Sequence, residues 1–381
     1  MNPPIVILGS GLAGISVARE LRKLDKEVPL IMITADDGGF YSKPSLSNAL
    51  AAGKTAPQLV LTARETLAAQ LNVDIRAGSR VVRLLPGQHA IEMDSGRVEY
   101  SRLVLALGAQ PIRLPIEGSG AADILAVNSL ADYAAFRERL VDVKRVAILG
   151  GGLIGCEFAN DLRLAGIAVD VFDLAPQALG RLLPTGAAEF FRARLEAAGV
   201  AFHFNTSIAR VDRSEGGVIL KDSQGKDFSA DLVLSAVGLK PETELARAAG
   251  LKTNRGIVAD KLLATSEPDV FAVGDCAEVQ GLVLPFVLPI MQQARALAKT
   301  LAGTPAPVSY PAMPVVVKTP ASPTVVCPPP AGAAGAWREE ADPTGVRAMF
   351  EDAAGNPLGF ALVGDSVKDK QALATQMPAW L

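Results

Sequence analysis

Two stretches of this chain repeat one arrangement of glycines, and no other feature limits its folding so tightly. Pro4-Ile-Val-Ile-Leu runs into Gly9, Gly11 and Gly14, and Arg145-Val-Ala-Ile-Leu runs into Gly150, Gly152 and Gly155. Each reads as strand, tight turn, helix. The first glycine permits the sharp turn, the second lets backbone amides approach a pyrophosphate, and the third lets helix and strand pack closely. The helix start then offers unpaired N–H groups to an anion. One such end contributes about 0.3–1 kcal/mol, and up to about 2 when partly buried. It orients a dinucleotide, and the rest of the ligand must be gripped elsewhere.

Each copy also ends its second apolar strand in an acid. Asp36 lies 22 residues after Gly14, and Asp173 lies 18 after Gly155. A carboxylate there accepts ribose hydroxyls. A 2′-phosphate about 4 Å from Asp173 would meet repulsion of about 4 kcal/mol at an effective dielectric near 20, so NADH is expected over NADPH.

The chain of 381 residues is long enough for two or three domains. With 49% hydrophobic and 20% charged residues it has the balance of a well-buried enzyme, and a net charge of −3 argues against a general nucleic-acid binder. Cys156, Cys276 and Cys327 form no local dithiol, and His89 and His203 stand in no motif, so neither a metal centre nor a catalytic histidine is expected. No apolar run approaches the length of a membrane span. Glycines interrupt the first apolar stretch, which reads as a buried strand rather than a signal peptide, and the chain reads as cytoplasmic.

Between the glycine motifs, a loop from Gly38 to Ser47 holds Lys43, which is either a solvated lysine or one lying against a bound ring system. The pattern predicts a helix over 62–71, strands at 73–75 and 80–85, and a hairpin of 90–93 with 97–107. Leu103 to Pro111 and Asp231 to Pro241 are matching apolar strands that each end in glycine and proline, so the second glycine unit reads as an insertion in the first. Glu157 is either a helix-dipole partner or a group that faces the nicotinamide and pairs with Lys43. After the insertion, Val270-Phe-Ala-Val delivers Gly274 for close approach and Asp275 as an acceptor for polyol hydroxyls. Beyond Tyr310 the pattern suggests a hairpin of 347–350 with 358–363 and a helix over 366–374.

Both glycine motifs, with Thr265 to Asp275, resemble the two-dinucleotide-fold flavoproteins related to glutathione reductase over residues 4 to about 303. Tyr41-Ser-Lys-Pro44, residues 153–160 and Val317-Lys-Thr-Pro-Ala321 resemble most the rubredoxin reductases of that family. The resemblance implies an α/β chain with two Rossmann-like dinucleotide-binding domains, the NAD domain inserted in the FAD domain, plus a small α+β C-terminal domain. Residues 1–110 and 237–309 would bind FAD, residues 111–236 NAD(P)H, and residues 310–381 would form the C-terminal domain. Lys43, Val81, Glu157, Asp275, Val287 and Lys318 would contact FAD together with the first glycine loop and Asp36. A helix within 282–302 would point its N-terminus at the flavin C2 carbonyl. Electrons would pass from NADH through FAD to rubredoxin one at a time, with no catalytic side chain required. Lys43 and Lys318 would steer an acidic partner. The alternatives are a ferredoxin reductase of an oxygenase system, a partner with a rubredoxin-like domain, or a flavin redox sensor that does not turn over. Asn48, standing where dioxygenase-type ferredoxin reductases carry a lysine, points away from the first of these. A monomer or weak dimer is expected.

Overall fold

The structure is a computed structural model and describes residues 3–381. Its first sheet has five parallel strands in the order Val270–Ala272, Arg102–Leu105, Ile5–Leu8, Leu30–Ile33 and Asp74–Arg76. Ile5–Leu8 is buried at every position, as suits a strand covered on both faces. Burying each of its large aliphatic side chains contributes about 1.5–3 kcal/mol. The helix Leu12–Leu24 buries Ile15, Val17, Ala18 and Leu21, and packs against a second helix, Val287–Leu301.

A second parallel sheet, ordered Val200–His203, Ala168–Phe172, Arg145–Leu149 and Leu232–Ser235, lies wholly between two strands of the first sheet in sequence. The chain crosses into and out of it through an antiparallel pair, Ala109–Pro111 with Leu239–Pro241. Gly108 at φ +73° and Gly238 at φ +118° turn the chain at this neck, where a side chain would be strained.

Several boundaries differ from the sequence reading. The expected hairpin arm 97–107 divides: Gly96–Glu99 pairs with Ala90–Met93, whereas Arg102–Leu105 joins the parallel sheet. Buried Tyr100 and the Ser101 N–H bonded to the Pro4 carbonyl turn the chain between the two. The helix expected from 62 starts at Arg64, because Val60–Thr62 pairs with Phe40–Tyr41. An additional helix, Leu130–Arg139, is opened by a capping box of Ser129 and Asp132.

In the C-terminal region the hairpin is part of a five-stranded antiparallel sheet ordered Val315–Val317, Thr324–Cys327, Pro357–Gly364, Gly345–Glu351 and Ala336–Asp342. Ala336–Asp342 is a mostly exposed, charged edge strand, so it lacks the apolar alternation that reveals a strand. The expected final helix divides into a 3₁₀ turn, Asp365–Asp369, and Lys370–Ala374. Among the described residues, no helix is long and apolar enough to cross a membrane.

Candidate functional site

The first glycine loop sorts its three glycines by geometry. A Cβ on Gly9, at φ +110°, would lie 2.2 Å from the Ala106 carbonyl oxygen, and one on Gly14 would lie 2.0 Å from that of Gly9. A Cβ on Gly11 would meet nothing within 4 Å. Gly9 and Gly14 therefore serve the turn and the packing, and Gly11 leaves the helix start open to a ligand. Beside it, Asp36 Oδ1 accepts from Ser10 Oγ (2.9 Å), Thr34 Oγ1 (2.6 Å) and the Gly38 N–H (3.0 Å). These bonds fix the carboxylate at the strand end.

Gly274 approaches the same helix so closely that an added Cβ would lie 2.7 Å from Ala13 Cβ. The next residue, Asp275, has a buried Oδ1 with no hydrogen-bond partner among the described residues. Leaving such an atom unpaired costs about 1–3 kcal/mol. Burial raises the Asp275 pKa, opposed by the positive charge of Lys43. Lys43 is exposed, and partial desolvation by its surroundings lowers its pKa against the fields of Asp275, Asp132 and Asp36. An open glycine cradle, a fixed strand-end carboxylate and an orphaned acceptor suit a dinucleotide bearing a polyhydroxyl chain.

The pairing of Glu157 with Lys43 is not found. Glu157 is completely buried and its carboxylate binds the Lys318 ammonium instead, with Ser47 Oγ donating at 2.5 Å and the Lys318 backbone N–H at 2.8 Å. The reason is geometric: the C-terminal strand Val315–Val317 ends where Lys318 reaches the helix Leu153–Leu164, and the Lys318 ammonium takes the carboxylate. Lys318, already neutralised, is thus a poor steering charge. Two neighbours on that helix were not foreseen. Asn160 Oδ1 accepts from the Ala321 N–H at 3.1 Å, and Asp161 accepts from the N–H groups of Leu50 and Ala51 at 2.9 and 3.1 Å. The signal was a polar face at positions 157, 160 and 161 of a helix that is otherwise apolar inward.

The second glycine loop repeats the first. An added Cβ would lie 2.6 Å from the Ala236 oxygen at Gly150 and 1.9 Å from the Gly150 oxygen at Gly155, but meets nothing within 4 Å at Gly152. Asp173 accepts from the Gly151 N–H at 2.5 Å and the Ala175 N–H at 2.7 Å, which ties it directly to the loop. Val81 opens the strand Val81–Leu85 and packs on the first core, and Val287 is the exposed first residue of its helix. Cys156, Cys276 and Cys327 are buried and free, with the Cys276 thiol pushed up to about 12 by burial.

Residues 3–299 match the family described as pyridine nucleotide-disulphide oxidoreductase. The chain belongs to this family. It is an oxidoreductase with two dinucleotide folds and a further C-terminal unit, and residues 307–377 of that unit match the rubredoxin binding C-terminal domain. The rubredoxin-NAD(+) reductase of Alcanivorax borkumensis is 48% identical over 99% of both chains, and that of Acinetobacter baylyi 47% identical over 98% of this chain and 97% of its own. Among solved structures, a ferredoxin reductase from Rhodopseudomonas palustris superposes with a TM-score of 0.89 at 27% identity, covering 99% of this chain and 96% of the other.

Proposed function

We infer that this oxidoreductase passes electrons from NADH through FAD to rubredoxin. The observation that carries the reading is the rubredoxin-binding match over 307–377, on a chain similar end to end to rubredoxin-NAD(+) reductases. Residues 1–110 and 237–309 form the FAD unit, residues 111–236 the NADH unit and residues 310–381 the partner-facing unit, in a protein of the cytoplasm.

FAD, when bound, supplies the conversion of a two-electron donor into one-electron delivery. The rest falls to this chain's own groups. Gly11 and the helix start at Leu12 receive the FAD pyrophosphate, Asp36 the adenosine ribose, and Asp275 Oδ1 a ribitol hydroxyl, which gives that buried oxygen its partner. Lys43, Val81, Val287 and Lys318 line the flavin, with Glu157 buried behind Lys318, and the first N–H groups of the helix Val287–Leu301 favour negative charge on it. Gly152 and Asp173 hold NADH. The Glu157–Lys318 pair joins the helix that receives NADH to the unit that receives rubredoxin. Buried cysteine thiols that stay protonated at neutral pH offer no nucleophilic outlet, which favours an external iron acceptor.

The test is anaerobic stopped-flow: protein reduced with NADH, then mixed with oxidised rubredoxin or, in parallel, with ferredoxin. Fast flavin reoxidation by rubredoxin and slow reoxidation by ferredoxin is expected. The reverse order would overturn the reading in favour of a ferredoxin reductase, and no transfer to either would favour a sensor.

A further inference from the structure

We propose that Gln293 is a positioning residue for Asp275, holding the turn that presents this carboxylate to the flavin cofactor; the inference rests on the reading that Asp275 binds FAD. Gln293 sits in the helix Val287–Leu301 with only 2% of its surface exposed, among alanine, leucine and isoleucine positions. A buried amide has to have its polar atoms bonded or it destabilises the fold. Here the two ends of the amide are used for different purposes.

Gln293 Oε1 accepts from the Gly274 N–H at 2.6 Å, and Nε2 lies 2.8 Å from the Tyr310 hydroxyl oxygen. The orientation is dictated by chemistry, because a backbone N–H can only donate and must therefore face the amide oxygen. Gly274 stands at φ +77° and is followed directly by Asp275, whose Oδ1 is buried and unpaired among the described residues. The bond from Gln293 thus sets the depth of the turn against Ala13, and with it where the carboxylate points.

Tyr310 anchors the other end of the amide. Its ring is 1% exposed, its carbonyl accepts from the Trp380 N–H at 2.7 Å, and its own N–H donates to the Leu381 carbonyl at 3.0 Å. The segment that opens the C-terminal region is in this way connected to the cofactor turn through one side chain.

The experiment is a double-mutant cycle of Gln293→Met and Asp275→Asn, read as the FAD dissociation constant of apo-protein by fluorescence titration, with the apo-protein melt recorded for each variant. Expected are FAD binding about tenfold weaker for Gln293→Met, weaker still for Asp275→Asn, and a double variant within about twofold of Asp275→Asn alone, because Gln293 acts through Asp275. If Asp275→Asn binds FAD like the parent, the reading of Asp275 fails. If Asp275→Asn weakens FAD and Gln293→Met does not, or if the two effects multiply, the positioning role is overturned. Should Gln293→Met give no cooperative melt, the same cycle is run with Tyr310→Phe, which keeps the ring and removes the anchor. It is expected to weaken FAD two- to fivefold in the parent and not in the Asp275→Asn background, and a loss of equal size in both backgrounds overturns the proposal.

Discussion

The two glycine helices start alike and end in different company. Counting from the third glycine, Glu157, Asn160 and Asp161 of the second helix correspond to Ser16, Arg19 and Glu20 of the first. Ser16 Oγ lies 3.4 Å from Met291 Sδ, Arg19 lies over the Phe40 ring, and Glu20 pairs with Lys23 at the surface. On the second helix the same positions are buried and bind the Lys318 ammonium with Ser47, the Ala321 N–H, and the N–H groups of Leu50 and Ala51. The first helix is held to its neighbour, Val287–Leu301, chiefly by apolar packing; the second is riveted by hydrogen bonds to both other units. Apolar packing tolerates small shifts, whereas buried polar groups accept only one arrangement. On the proposed function, in which this helix presents NADH at a fixed place against a flavin and a partner unit, the second kind of attachment is the one that serves.

The strongest test of what the copies share is Gly14→Ala beside Gly155→Ala. A new Cβ would lie 2.0 Å and 1.9 Å, respectively, from the carbonyl oxygen of the glycine that opens its own loop. Helix and strand must part in either case, at a cost of about 3 kcal/mol or more. Urea midpoints should fall substantially in both variants, and a parent-like midpoint in one of them would end the claim of equivalence.

Next in size is the contrast between Glu157→Leu and Ser16→Ala. Removing Glu157 strands the Lys318 ammonium, partly screened at 29% exposure, and leaves Ser47 Oγ without an acceptor, for a loss of about 3 kcal/mol. Ser16→Ala removes one weak contact to sulfur and should cost under about 1 kcal/mol. Chemical denaturation of the two variants gives the comparison directly. Equal losses would show that the second helix is not attached differently from the first.

This contrast also marks how far the sequence could be read. Both glycine loops, the two terminal acids and the threading of one sheet through the other follow from backbone chemistry at fixed spacing, and such spacing survives in a string of letters. The partners of Glu157 do not: Ser47 is 110 residues away and Lys318 161 residues away. The sequence therefore offered Lys43, the nearest lysine in a conspicuous loop, where folding delivers Lys318. Gln293 was hidden for a different reason, since one glutamine in an apolar helix carries no period of its own. The polar triplet 157, 160 and 161 did carry one, at helical spacing on the inward face, and could have been recognised as an interface between units.

Smaller in effect is the pH dependence of Asp275. Its folded pKa is raised by burial from the ordinary 3.8, so protonation favours the folded apo-protein. The contribution is fully present below about pH 4 and is lost as pH rises through the folded value. Asp275→Asn, which has no charge to desolvate, should therefore gain apo-protein stability relative to the parent as pH rises from about 4 to 7, and the two melting curves should converge at the acid end. A difference that stays constant across this range would mean that the carboxylate is compensated by more than Lys43.

The smallest effect on stability is expected where the functional separation is cleanest. A Cβ at Gly11 or at Gly152 meets nothing within 4 Å, so Gly11→Ala and Gly152→Ala should each melt within about 1 kcal/mol of the parent. Each added methyl nevertheless stands where a pyrophosphate must come against the backbone. Gly11→Ala should emerge from purification depleted in FAD. Gly152→Ala should keep its FAD and its reoxidation by rubredoxin after photoreduction, while needing far more NADH to reach half-maximal flavin reduction. The pair separates the two loops by ligand, not by fold. If Gly152→Ala lost FAD as readily as Gly11→Ala, the riveted helix would be supporting the flavin site as well as the nicotinamide site, and the division of labour between the copies would have to be redrawn around the Glu157–Lys318 junction.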